Sequence, residues 1–310
     1  MPKFEFTGKR EATHAGSWYN GNPKRLHAEL DALFGECSGE GEECAKPARA
    51  IVSPHAGYTY CGKAMARCYT ALMSFFRTLP EGHVPTVVIL GPSHHRPLKN
   101  VGITSFAQWE SPFGVVDVDT EVCRAIQTAM GEGNASQMSR STDEEEHSLE
   151  MMLQFILYAA EHAGKPTVRI APMLVGGRID PHIVGRALAT LDEKIPIVVS
   201  SDFCHWGYRF GYQMLPPAQS PEEAVWQRIE RLDRMGAERI AAIDLDGFQT
   251  YLKNTDNTIC GRDSICCLLA AAEEKKTGVT GKILFYDQSS KCMNASRDSS
   301  VSYCAIAVYL

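Results

Sequence analysis

The chain has 310 residues, 44% of them hydrophobic and 22% charged, with a formal net charge of −6. That length suits one large α/β domain or two small ones, the balance allows a sizeable core, and the lack of a Pro-, Gly- or Ser-rich internal linker favours one domain, residues 1–310. It offers no basic stripe for nucleic acid, no apolar run that spans a bilayer and no apolar signal region at the N-terminus, so a cytoplasmic protein with access to the nucleus is expected.

In chain order, Asn22-Pro23 opens a helix, with proline at its first position, and Leu26, Leu30, Leu33 and Phe34 share one face. Residues 37–47 are rich in Gly and Glu and read as a surface-loop insertion. Strands are expected at 49–53 and 85–90, with a helix through about Phe76 between them. Residues 98–117 read as short irregular strands and Asp119 to Met130 as a helix. Thr142-Asp-Glu-Glu145 has capping-box spacing and introduces a buried helix from His147 to about His162. A strand at 168–174, a helix at 181–191 and a strand at 196–200 follow. Ser220-Pro-Glu-Glu223 caps a further helix, another starts near Asp246, and a third covers 264–275. Strands at 282–286 and 301–309 close the chain. The alternation predicts an α/β fold, a single domain with a central, largely parallel (mixed) sheet flanked by helices.

Three apolar, β-branched segments run directly into histidine. They are Ala50-Ile-Val-Ser-Pro-His55, Val87-Val-Ile-Leu-Gly-Pro-Ser-His94-His95 and Ile197-Val-Val-Ser-Ser-Asp202-Phe-Cys-His205. Ligands of open α/β sheets collect beyond the carboxyl ends of strands. Any one of these residues alone reads as a turn histidine. Three in equivalent positions predict a shared site for a metal or for acid–base chemistry. On extended backbone His94 and His95 point opposite ways, so at most one faces the site, and spacing does not choose between them. Asp202 lies close enough in sequence to orient an imidazole or a metal-bound group.

The 11 cysteines include no C-x-x-C pair, so reduced thiols are expected. Cys260 stands out because it enters a helix and precedes Gly261-Arg262, a setting that favours thiolate. It reads equally as one more buried thiol, and Cys204 is a weaker rival. The acidic run Glu144-Glu-Glu-His147 suits a helix start, though His147 or Glu146 could line a cavity. Tyr58 and Tyr60 either present hydroxyls to a ligand or pack as core aromatics. Nucleophile-elbow, Walker, zinc-protease and dinucleotide motifs are all missing.

Several long segments together carry a resemblance. They are Glu11-Ala-Thr-His-Ala-Gly-Ser-Trp-Tyr19, Pro54-His-Ala-Gly-Tyr-Thr-Tyr-Cys-Gly62, Gly91-Pro-Ser-His-His95 and Asp143-Glu-Glu-Glu-His-Ser148. Ser200-Ser-Asp-Phe-Cys-His-Trp-Gly207, Asn257-Thr-Ile-Cys-Gly-Arg262 and Asp298-Ser-Ser-Val-Ser-Tyr303 complete the set. From about residue 10 onward the chain resembles the Memo family (mediator of cell motility), which is similar in fold to class III extradiol ring-cleaving dioxygenases. The resemblance implies metal ligands at His55, His94 and Cys260. It selects His94 over His95, and it places Asp202 and His205 beside the metal as catalytic residues, His205 for proton transfer. Extradiol dioxygenases hold iron with two histidines and a carboxylate. A thiolate as third ligand widens the metals to iron(II), copper or zinc, and a shared scaffold does not carry ring cleavage with it. The resemblance implies a metal-binding redox protein that activates oxygen, linked to motility and cytoskeletal signalling. Its rivals are a non-catalytic module for phosphotyrosine-containing peptides of signalling proteins and a metal-homeostasis protein without turnover.

Overall fold

Apolar β-branched runs between small-residue turns form strands because their side chains fit a pleated, buried surface. Ala50–Ser53, Thr86–Pro92 and Ile197–Ser200 are such strands, and each is buried at every residue. Continuous burial is what a strand covered on both faces requires. The computed structural model describes residues 4–37, 46–275 and 278–310.

The three histidine-bearing strands are immediate neighbours and all run parallel, with Ile197–Ser200 in the middle. Val88 and Ala50 both align with Ile197, so the three carboxyl ends leave the sheet on one side. Arg169–Val175 and then Gly114–Val118 extend the parallel set. Beyond Ala50–Ser53 the sheet turns antiparallel. Ser299–Tyr309 pairs there, and Thr280–Gln288 and His205–Gly207 pair with it in turn. The result is one α/β domain with a large mixed sheet, parallel at its centre and flanked by helices.

Two helices carry the site loops into the core. Tyr58–Thr78 follows the His55 turn and packs on the Ala50–Ser53 and Ser299–Tyr309 strands. Arg262–Glu274 follows Cys260 and packs on the Thr86–Pro92 and Ile197–Ser200 strands. Among the described residues no helix is long and apolar enough to cross a membrane.

Element boundaries differ from the sequence reading in three instructive places. Asp119 is the cap of the Thr120–Met130 helix rather than its first residue, accepting a bond from the Val122 N–H. Ser220-Pro-Glu-Glu223 precedes the next helix, which starts at Val225. The helix expected from His147 is broken: Arg140–Glu145 is a separate short helix capped by Ser139, and Glu150–His162 is the long one. The cause is Arg10, whose guanidinium donates to the carbonyls of Asp143 and Glu146. A continuous helix would need those same carbonyls for its own i→i+4 bonds. Of the loop expected over 37–47, residues 38–45 lie outside the described residues, and Cys37 closes the first helix.

Arg10 also fixes the N-terminal strand. Buried, it lies 3.1 Å from Asp143 and 2.6 Å from Glu150. Glu150 accepts further bonds from the His14 backbone and ring and from the Tyr19 hydroxyl. Burial by itself pushes the Glu150 carboxyl up. The bonds from His14 and the Arg10 charge outweigh it and hold the group at about 2, against an ordinary 4.5. The folded value lies below the unfolded one, so the stabilisation is fully present above pH 4.5 and is lost as pH falls from there toward 2. Glu150→Gln is expected to flatten this stretch of an acid-unfolding curve. A curve that keeps the wild-type slope there would refute the assignment.

Candidate metal centre

The strand ends deliver His55, His94 and His205 in three similar ways. Each imidazole is oriented through a contact at Nδ1. His55 Nδ1 lies 2.6 Å from Ser200 Oγ, whose own hydrogen goes to the Ser148 carbonyl. Ser200 must therefore accept, which puts the His55 proton on Nδ1. His94 Nδ1 lies 2.9 Å from Glu146 Oε1, and the His94 backbone N–H also donates to that carboxylate. His205 Nδ1 faces the carbonyl of Phe203 at 3.0 Å, and a carbonyl can only accept. An oxygen partner on the far nitrogen is the arrangement that orients histidines toward a metal.

His147 joins this group. The ligand atoms of His55, His94 and His147 all lie within 4.8 Å of one another. The His147 ring stacks on His94 with centroids 4.5 Å apart, and its other neighbours include Trp18 at 4.3 Å. Cys260 meets the same cluster through His55, with Sγ 3.3 Å from Nε2. Cys260 is held in place by its neighbour: a Cβ on Gly261 would lie 2.4 Å from the Ser200 carbonyl oxygen, so only glycine lets the loop approach this closely.

Asp202 is buried behind the cluster and accepts a bond of 2.8 Å from the His55 backbone N–H. Its own N–H points to Cys260 Sγ at 3.2 Å. Burial pushes its carboxyl up, and the charge of His205 acts in the opposite direction. Burial likewise pushes His55 and His147 down, and each is lowered further by its histidine neighbours. Both are neutral imidazoles, the form that binds metal. Glu146 is the counterweight. Burial raises its carboxyl, but the bonds from His94 and the Ser148 N–H prevail and keep it ionised.

The local setting of Cys260 favours thiolate, but its surroundings in the fold act the other way. Burial raises its thiol above the ordinary range, and the charge of Asp202 raises it further. The Arg262 guanidinium turns away, donating to the Ile259 carbonyl. Without a cation at the cluster this sulfur stays protonated. A metal is the charge that would deprotonate it.

The expected site residues thus converge on one side of the sheet. His55, His94 and His147 form one group, with Cys260 against His55 and Asp202 behind. His205 stands near enough for its charge to act on both His55 and Asp202. The turn after Pro92 is bent rather than extended, yet it still separates the two adjacent histidines. His94 faces the cluster with its side chain 29% exposed, and exposed His95 reaches only the edge of His147, at 6.3 Å between centroids. Sequence reasoning gave His147 and Glu146 only a general place in a cavity. The Asp143-Glu-Glu-Glu-His-Ser148 segment was the available signal.

The fold and the cluster define an α/β protein with imidazole and thiol donors gathered at the carboxyl ends of its central strands. The family model described as Memo-like protein matches residues 10–307. The chain is 39% identical over 309 residues to Protein MEMO1 of Danio rerio, covering 96% of this chain and 97% of that one. It is 38% identical over 309 residues to Protein MEMO1 of Homo sapiens, with the same coverage. Protein memo-1 homolog of Caenorhabditis elegans is 34% identical over 315 residues, 97% of this chain and 83% of that one. A solved structure of an uncharacterized Escherichia coli K12 protein is 12% identical, with a TM-score of 0.48, covering 82% of this chain and 98% of that one. The chain belongs to the Memo family.

Proposed function

We propose that this protein binds iron(II) or copper, with zinc as the redox-silent alternative, and that the loaded protein is an oxygen-activating redox protein. The ligands in this reading are His55, His94 and Cys260. The observation that carries it is the gathering of the His55, His94 and His147 ligand atoms within 4.8 Å of one another at the strand ends, with the Cys260 thiol against His55. Two nitrogens and a soft sulfur suit exactly this group of first-row metals among the common biological cations. When bound, iron or copper would supply one-electron chemistry.

The chain's own residues then have distinct tasks. Ser200 and Glu146 hold the two imidazoles in orientation. Asp202 ties the His55 backbone to the Cys260 loop and sets the local charge. His205, partly exposed and with its Nδ1 proton fixed by carbonyls, offers Nε2 to take up or release a proton at the cluster. The same proposal includes a place in motility and cytoskeletal signalling, which the resemblance to the Memo family suggests.

Metal analysis of protein purified without added metal, followed by oxygen uptake with a reductant or a catechol, tests the reading. His205→Ala is expected to keep its metal and lose ~10²–10⁴-fold in turnover, the usual worth of a positioned proton carrier. Asp202→Asn should show a milder form of the same defect. Unchanged turnover in His205→Ala would remove the proton-transfer role. A metal-loaded wild type that consumes no oxygen, but binds phosphotyrosine peptide equally after chelation, would replace the redox reading with that of a binding module.

A further inference from the structure

A second donor cluster lies away from the strand ends, on the outer side of two packed helices. His27 and Asp31 are one turn apart on the Pro23–Cys37 helix, and His162 ends the Glu150–His162 helix. Ligand atoms of all three lie within 4.8 Å of one another. None of them belongs to the centre described above.

We propose that His27, Asp31 and His162 form a surface site for a zinc-like divalent transition ion that ties the first helix to the Glu150–His162 helix. An exposed i,i+4 His–Asp pair alone contributes little. The second imidazole, brought from another helix, makes it a donor set of two nitrogens and one carboxylate. Zinc takes such three-residue sets with water in the remaining position.

The donors are already oriented. His162 Nδ1 lies 2.9 Å from the Tyr158 carbonyl, which can only accept, so Nε2 keeps its lone pair for a metal. The Tyr158 ring stacks on His162 at 4.0 Å between centroids and restricts its rotation. The same residue's hydroxyl donates to Asp31 Oδ1 at 2.7 Å, which leaves Oδ2 facing His27 Nδ1 at 3.1 Å. Tyr158 thus acts on two of the three donors, as an outer partner of a metal site does. Beside His27, Phe113 and Glu161 wall an open recess through which water reaches the group.

The test uses the full chain carrying His55→Ala and Cys260→Ser, which weakens the central site. Zinc content is measured after dialysis against zinc, with and without His27→Ala or His162→Ala added. Each added substitution is expected to lower zinc by one ion per chain and to abolish the rise in melting midpoint that zinc produces. The metal-free midpoint should stay the same, because both histidines are on the surface. Tyr158→Phe keeps the ring and should weaken zinc binding by roughly 10–100-fold. Zinc content that is unchanged by both His27→Ala and His162→Ala would overturn the proposal, whatever the central site retains.

Discussion

His55→Ala is expected to abolish stoichiometric metal binding while the protein remains folded. The imidazole is the junction of the cluster, in contact with the Cys260 sulfur and within ligand distance of His94 and His147. Loss of a direct ligand should exceed the roughly 10–100-fold cost of removing an outer partner. The fold has independent support. The bond to Asp202 uses the His55 backbone, and Ser200 keeps its bond to the Ser148 carbonyl. Cys260→Ser should behave like His55→Ala, and the two are compared by metal content beside a thermal melt. If both keep a full complement of metal, the ligand set is wrong. His147→Ala decides between two donor sets. Retained metal leaves Cys260 as the third ligand, whereas loss there with retention in Cys260→Ser would make the centre three imidazoles.

Arg10→Ala is expected to destabilise the protein by about 3–5 kcal/mol, the usual cost of leaving buried charge without its partner. The side chain is 1% exposed and faces two buried carboxylates, those of Asp143 and Glu150. Its guanidinium also lies over the Trp109 ring, 4.4 Å from the centroid. Removing it strips the cation from Asp143 and Glu150 and the donor from two carbonyls at the helix break. The denaturation midpoint in urea reports the effect, with the slope checked for two-state behaviour. A loss under about 1 kcal/mol, the level of an exposed pair, would mean that water replaces the guanidinium at little cost. Metal affinity should fall with stability here, because Arg10 also holds the backbone carbonyl of Glu146, whose carboxylate orients His94.

Much of this protein is legible in its sequence. The three strand-to-histidine segments specify their own strands, since β-branched apolar runs closed by Ser, Pro and Gly have few other solutions. Their placement on one side of a mostly parallel sheet follows from the α/β alternation. The long segments around His55, Asp202 and Cys260 are specific enough to indicate the family. Periodicity also located nearly every helix, with Asp119 displaced by one residue because a cap and a first turn look alike in sequence.

Tertiary structure alone decided the rest. Cys260 and His55 are 205 positions apart, and no local pattern reports that contact. At Cys260 a helix start and a neighbouring arginine favour thiolate, but both are local signals and leave that reading even with one more buried thiol. Burial and the charge of Asp202 come from elsewhere in the fold. The break before Glu150 is set by Arg10, 133 residues before Asp143, which takes carbonyls that helix propensity assigns to the helix itself. His147 enters the cluster because that break turns it toward His94. Sequence patterns report how each segment meets water, whereas hydrogen-bond partners and desolvation are set by whatever the folded chain brings alongside.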